Sequence, residues 1–250
     1  PADIAEVLHD LPPEDSGVIF RILPREKSGV AFEYLPLDQQ AELVSTLGNE
    51  QLVGVLNEMA PDDRTRLFEE LPAAVTRRAL STLKPEELKI ARQLLGYPEG
   101  TAGRYMTPEY LALLPTLTAA EAIEVVREKG KGVETLNVLY IVDDRGSLVA
   151  DLRLAELVIA APWAKVGELP TRQLVSLLAT SPRGEVIAAF EKYDRVAIPV
   201  TDTRGVMLGI ITIDDVLDVA EAKATEDIQR LGGMEALDAP YMDIGFFEMV

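Results

Sequence analysis

The first 95 residues repeat every twelve positions, and that period leaves few folds open. A large apolar residue recurs at Leu11, Leu23, Leu35, Leu47, Met59, Leu71 and Leu83. The next residue is Pro12, Pro24, Pro36, Gly48, Ala60, Pro72 or Lys84. Nine positions after each anchor stands a second apolar side chain in most units: Phe20, Phe32, Val44, Leu56, Phe68 and Leu80. The unit reads as a breaker, a few polar residues and two turns of helix. Pro suits a first helical turn, where its missing N–H costs nothing. Acids follow it, as in Pro61-Asp62-Asp63 and Pro85-Glu86-Glu87, and complement the positive helix end. A helix of about nine residues is unstable alone and must stack on its neighbours. The spacing therefore predicts an α-helical superhelix, a solenoid of short helices, which serves more naturally as a binding scaffold than as an enzyme.

From Gly100 the pattern changes. Tyr97-Pro98-Glu99-Gly100-Thr101-Ala102-Gly103 is a linker by composition. Two similar halves follow. The first has a helix from Leu117 to about Lys129, a strand at Asn137–Val142, a turn at Asp143-Asp144-Arg145-Gly146 and a returning strand at Leu148–Leu152. The second repeats this with a helix from Pro182 to about Tyr193, strands at Val196–Val200 and Met207–Ile211, and the turn Asp202-Thr203-Arg204-Gly205 between them. Each half runs on into a helix, at Leu154–Ala160 and Asp214–Ala222.

The stretch from Gly209 to Leu231 carries the densest charge. Ile210, Ile211 and Ile213 read as strand; from Asp214 the apolar spacing becomes helical. The helical part holds Asp214, Asp215, Asp218, Glu221, Glu226 and Asp227 against only Lys223 and Arg230. Like charges at helical spacing repel, so such a helix calls for a cation or a favourable helix start. The whole chain is acidic too, with a formal net charge of −18. That balance disfavours nucleic acid and suits metal cations or basic partners. With no Cys and one His (His9), thiolate and His-rich metal sites are excluded, leaving hard cations held by oxygen. No nucleophile–base pair, glycine-rich phosphate loop or zinc motif argues for an enzyme. No basic start followed by an apolar run marks a signal peptide, and no stretch reaches the roughly 18 apolar residues of a membrane span. Beginning at Pro1 and stopping in Phe246-Phe247-Glu248-Met249-Val250, the chain reads as a piece of a longer protein.

The paired strand–turn–strand units, Tyr105-Met106-Thr107-Pro108, and above all Gly209-Ile210-Ile211-Thr212-Ile213-Asp214-Asp215 resemble a tandem pair of cystathionine-β-synthase-type (CBS) domains. In CBS pairs that hold adenine nucleotides, a Gly-x-x-Thr/Ser-x-x-Asp run gives a hydroxyl to phosphate and a carboxylate to ribose. Thr212 and Asp215 match those places, which makes ATP or AMP a candidate ligand; an N-cap hydroxyl is the other reading of Thr212. The first half departs from the run, with Arg153 and Glu156 at the corresponding positions.

The full order, a short-helix superhelix, Gly103-Arg104-Tyr105-Met106-Thr107-Pro108, a CBS pair, then Thr225-Glu226-Asp227-Ile228, looks like the cytosolic part of the MgtE family of magnesium transporters and channels. The resemblance implies an N-domain over 1–97, a linker over 98–103, CBS domains over 104–162 and 163–219, and a connecting plug helix over 220–250 leading to a transmembrane pore absent from this chain. It implies a homodimer formed through the CBS pair, placed at the cytoplasmic face of a bacterial inner membrane. It also implies a mechanism: Mg²⁺ bridges acidic faces of the N-domain, CBS pair and plug helix and favours the closed state. By the same resemblance Asp215 and Asp218 are metal ligands on the CBS side, Glu226 and Asp227 on the plug helix, Asp62 on the N-domain, and Asp194 is a further interface acid. Lys223, Arg64 and Arg66 interrupt these acids, and the expectation is fewer sites or lower cooperativity. Two other functions remain open, a CBS-type adenine-nucleotide sensor for another effector and a passive solenoid scaffold.

Overall fold

A computed structural model describes residues 2–217 and 220, apart from the side chains of residues 13, 14, 25 and 26. Its first part is a stack of eight short helices: α1 (Ala2–His9), α2 (Pro13–Ile22), α3 (Arg25–Glu33), α4 (Leu37–Thr46), α5 (Asn49–Leu56), α6 (Pro61–Glu70), α7 (Ala73–Thr82) and α8 (Pro85–Leu94). From α2 onward each packs on the helix two places along, α2 on α4, α3 on α5, and so on to α6 on α8. Odd and even helices thus form two rows, with the twelve-residue anchors between them. Leu35, Leu47, Met59, Leu71 and Leu83 are buried there with Phe20, Phe32, Val44, Leu56 and Phe68. Phe20 and Phe32 meet edge to face, 5.9 Å between ring centres.

The prolines differ in one respect from the first-turn placement that the sequence suggests. Pro12, Pro24, Pro36 and Pro72 are the N-caps, with φ near −54° and ψ near 140°, just outside the helix. Only Pro13, Pro61 and Pro85 lie within the first turn. The reason is the anchor: a residue before proline disfavours the helical region, and Leu23 and Leu71, before Pro24 and Pro72, are extended and close the previous helix.

The second part is two three-stranded sheets of the same design. The first has β1 (Ala112–Leu113), β2 (Val138–Val142) and β3 (Leu148–Arg153), in that order, with α10 (Ala119–Lys129) before β2 and α11 (Leu154–Ile159) after β3. The second has β4 (Leu177–Leu178), β5 (Ala197–Thr201) and β6 (Met207–Thr212), with α12 (Arg183–Tyr193) before β5 and a helix starting at 213. In each sheet the first strand is parallel to the middle one and the last antiparallel. The two-residue strands β1 and β4 escape a periodicity reading because they are too short to show one. The turns are built alike. Asp143 Oδ1 accepts the N–H groups of Arg145 and Ser147 at 2.9 and 2.8 Å, and Asp202 Oδ1 those of Arg204 and Val206 at 2.8 and 2.9 Å. Gly146 and Gly205 take the left-handed φ of 78° and 82° that each turn needs. The turns also join the halves: Leu148 N–H donates to Gly205 O and Met207 N–H to Gly146 O, at 2.9 and 3.0 Å.

The 97–103 stretch, a linker by composition, is packed. Ala102 is fully buried, and a short helix α9 (Ala102–Tyr105) lies against α6, α8, β4 and β6. Ala102 N–H and Gly103 N–H donate to Ser181 O and Ala179 O, and Thr107 pairs with Ile210 through two backbone bonds of 2.8 and 2.9 Å. Gly103 is small because it must be: a Cβ there would stand 2.6 Å from the Tyr97 ring. Gly and Pro here serve close packing, which composition alone does not distinguish from flexibility.

Candidate functional site

The first turn of α6 brings Asp62 and Asp63 to the boundary between the helical stack and the second sheet. Asp62 follows Pro61, the N1 residue, so its backbone N–H belongs to the open helix end, which favours an anion. Its side chain nevertheless points inward, only 3% exposed. Across the boundary, Thr212 ends β6 and begins the next helix. Its hydroxyl donates to Asp215 Oδ2, and its N–H reaches the same oxygen at 3.4 Å. Asp215 thus caps the strand-to-helix turn, as an N3 carboxylate does in a capping box. That geometry fixes Asp215 where Asp62 hydrogen-bonds to it.

Two carboxyl groups in hydrogen-bond contact must share a proton or a cation. Asp62 is held well above the usual carboxylate range, first by burial, then by the charges of Asp215, Asp63 and Glu134. Asp215 is also raised by burial, opposed by its hydrogen bonds from Thr212 and Asp62 and pushed further by Asp214. Glu134, from the loop before β2, is pushed up to about 7 by burial, Asp215 and Asp214. Glu33 of α3 is pushed up to about 7 by burial and by Asp63. Asp62 Oδ1 is buried with no hydrogen-bond partner, an open acceptor that calls for a proton or a hard cation.

The two arginines beside this pair make ion pairs of their own. Arg64 is fully buried, donates to Leu56 O at 2.8 Å and pairs with Glu87 of α8 at 2.5 Å. It is not named among the charges that shift Asp62, but it opposes the upward shift of Glu109. Arg66 stands 3.8 Å from Asp63, a loose ion pair.

Of the candidate ligands that the resemblance implies, two come together. Asp62 and Asp215 meet, with Thr212 beside them. Asp194 is exposed and ends α12 in the left-handed conformation, φ 48°; it is not among the groups that shift Asp62, Asp215 or Glu134. Asp218, Glu226 and Asp227 lie outside the described residues, as does Lys223. Glu33, Glu134 and Glu109, whose charge helps to raise Glu134, were not foreseen, since a single acid in a loop or on a repeat helix carries no spacing signal. Among the described residues no three His, Cys, Asp or Glu side chains converge as a ready-made metal cage. The pair at Asp62 and Asp215 offers two oxygen donors from two different parts of the fold.

Comparison with known proteins bears on what such a boundary is for. The family model described as the MgtE intracellular N domain matches residues 1–100, and the CBS domain model matches residues 166–222. A crystal structure of the cytosolic domain of the Mg²⁺ channel MgtE in complex with ATP superposes with a TM-score of 0.65 at 31% identity, over 86% of this chain and 93% of that one. The chain belongs to the MgtE family. The soluble part of a magnesium transporter superposes at a TM-score of 0.80 with 25% identity, covering 88% of this chain and 87% of that one. Among curated relatives, magnesium transporter MgtE of Thermus thermophilus is 36% identical over 172 residues, 69% of this chain and 38% of the relative. MgtE of Bacillus subtilis is 30% identical over 240 residues, 91% and 53%. The chain thus spans about half or less of the length of these MgtE relatives. Among the described residues no helix is long and apolar enough to cross a membrane.

Proposed function

We propose that this chain is the cytosolic Mg²⁺-sensing region of an MgtE-type magnesium transporter or channel, in which Mg²⁺ holds the N-domain against the CBS pair and favours the closed state. The observation that carries it is the contact of buried Asp62 with half-buried Asp215: two carboxyl groups from two parts of the fold, with Asp62 Oδ1 left without a hydrogen-bond partner. Mg²⁺ keeps most of its waters and takes one or two carboxylates, so a pair of oxygens in a partly wet cleft fits it. Bound there, it would supply the positive charge that the cleft lacks. Without that charge, Asp62 and Asp215 stay together only while they share a proton. Once both are ionised, about 4 Å apart at an effective dielectric of about 20, they repel by about 4 kcal/mol. Asp63, Asp214 and Glu134 add to the repulsion from both sides of the boundary.

In this reading the domains are an N-domain over 1–97, CBS domains over 104–162 and 163–219, the second with Asp215 and Asp218 as ligands, and a plug helix over 220–250 with Glu226 and Asp227 leading toward a pore. The CBS pair binds a second copy of itself. In support, Val158 and Ile159 of α11 and the nearby Trp163 are 62%, 79% and 78% exposed, an apolar patch on the first half. Limited proteolysis tests the closure. Millimolar Mg²⁺ is expected to slow cleavage near Gly100 and Lys223, and identical digestion patterns with and without Mg²⁺ would overturn the proposal.

A second reading, binding of adenine nucleotide by the CBS pair, is favoured by the ATP complex of the 31% identical cytosolic domain. Thr212 and Asp215 are the matching residues here. Thr212 already spends its hydroxyl on Asp215, so a nucleotide at this place has to replace that bond. Calorimetry with ATP and Mg²⁺ added separately distinguishes the ligands, and no heat with ATP removes the second reading.

A further inference from the structure

Helix α6 meets the CBS part at both ends, and the two ends have opposite electrostatics. At its start, Asp62 faces Asp215 and Glu134, acid against acid. At its end, Glu69 faces Arg104 of α9, with Oε1 and Nε 2.7 Å apart. Seven residues separate Asp62 from Glu69, which puts the ends about 10 Å apart along the axis. Glu69 and Glu70 occupy the last turn of α6, where no basic residue accompanies them and the helix end disfavours anions. Arg104 supplies the missing cation.

Arg104 cannot readily leave. Its side chain is 9% exposed, and its other neighbours are Leu94 O at 3.5 Å and Glu99, 3.9 Å away and itself 79% exposed. Parting it from Glu69 would strand a buried charge, the costly way to break such a pair. Arg104 is also fixed to the CBS side. α9 is hydrogen-bonded through Ala102 and Gly103 to the segment after β4, and Met106 lies in the core of the second sheet. Tyr105, the next residue, bonds Arg183 at the start of α12.

We propose that the Arg104–Glu69 pair is the pivot of the N-domain: it holds the end of α6 on the CBS part in every metal state, and α6 tilts about it when its acidic start is released. The proposal rests on the metal-dependent separation proposed above and adds where the motion is anchored.

The chain has no Cys, so spin labels can be placed in pairs without background sites. Exposed Glu58 and Lys131 report on the acidic end, and exposed Glu70 and Glu185 on the pivot end. On replacing Mg²⁺ by EDTA, the Glu58→Cys/Lys131→Cys distance is expected to lengthen several-fold more than the Glu70→Cys/Glu185→Cys distance. Arg104→Gln, or Glu69→Gln if the first variant folds poorly, is expected to let both pairs lengthen equally in EDTA. Arg104→Lys restores the difference in part. Equal lengthening in the unsubstituted pair sets overturns the pivot while leaving the metal reading intact. No lengthening in either pair overturns both.

Discussion

Asp62→Asn separates a carboxylate that resists closure from a carboxylate that merely packs. The side chain is buried, raised well above the ordinary carboxylate range and in contact with Asp215. Asparagine keeps the volume. Its amide permanently supplies the donor that Asp62 supplies to Asp215 only while protonated. Above the titration of the pair, the native chain must either keep a proton against solution or accept up to about 4 kcal/mol of repulsion. Because the shared proton relieves part of this, about 2 kcal/mol is the expected gain from the substitution at pH 8 without metal. For a chain of this length that is about 4–8 °C in the unfolding midpoint. In Mg²⁺ the proposed reading reverses the order, because the variant would lack one of the two oxygens assigned to the ion. Each 1.4 kcal/mol of lost metal interaction is a tenfold loss of affinity, so the rise of midpoint with Mg²⁺ is expected to flatten. The assay is thermal unfolding at pH 8 in EDTA and across a Mg²⁺ series. A variant that melts lower than the parent in EDTA, or that gains as much from Mg²⁺, refutes the reasoning.

Three further outcomes follow from the same geometry. Glu33 and Glu134 sit near 7 when folded against an ordinary 4.5; the folded state therefore binds more protons between those values, and metal-free stability should fall as pH rises from about 4.5 to about 7, then level off. Both side chains reach solvent, so the loss is about 1 kcal/mol each rather than the full shift, and flat urea midpoints over that window would contradict it. Gly103→Ala should destabilise by about 1–3 kcal/mol, since its Cβ meets the Tyr97 ring at 2.6 Å and Ala179 O at 3.0 Å; a urea midpoint equal to the parent's would show that the junction yields. Arg64→Gln leaves Glu87 and Leu56 O without their donor in a buried place and should cost about 3–5 kcal/mol, read from the same denaturation curves, whereas Arg64→Lys should recover part of it.

The fold was legible where the period was long. Twelve-residue spacing places Leu35, Leu47 and Phe68 in the core because each repeat must bury the same face. The Asp-x-Arg-Gly turns mark both hairpins, because only glycine takes φ near 80° without strain. Arg104 was invisible as a site residue: a lone arginine beside a Gly-rich stretch acquires its role only when α6, 35 positions earlier in the chain, delivers Glu69 to it. Glu134 likewise gains its meaning from Asp215, which the topology, rather than the neighbouring sequence, brings near. Asp62 and Asp215 were legible through resemblance, and their direct contact was not, since nothing in the spacing of either residue reports which way its side chain turns.

The two CBS halves show where the negative charge is kept on purpose. In the first half, the last residue of β3 is Arg153, paired with Glu156 in an ion pair that closes on itself. In the second half, the same position holds Thr212 bonded to Asp215, which orients the carboxylate without neutralising it. Asp215 also accepts from the Thr212 N–H at the helix start, whereas Arg153 makes no side-chain cap bond, so the second half alone keeps an ionisable carboxylate as its cap. The half whose cap keeps its charge is the one that Asp62 reaches. A contact built only for stability would place a cation there, as α6 does at its other end with Arg104 and Glu69. In the proposed reading, uncompensated charge at one end of α6 and an ion pair on a buried arginine at the other make closure depend on what the solution supplies, which is the property a cation sensor requires.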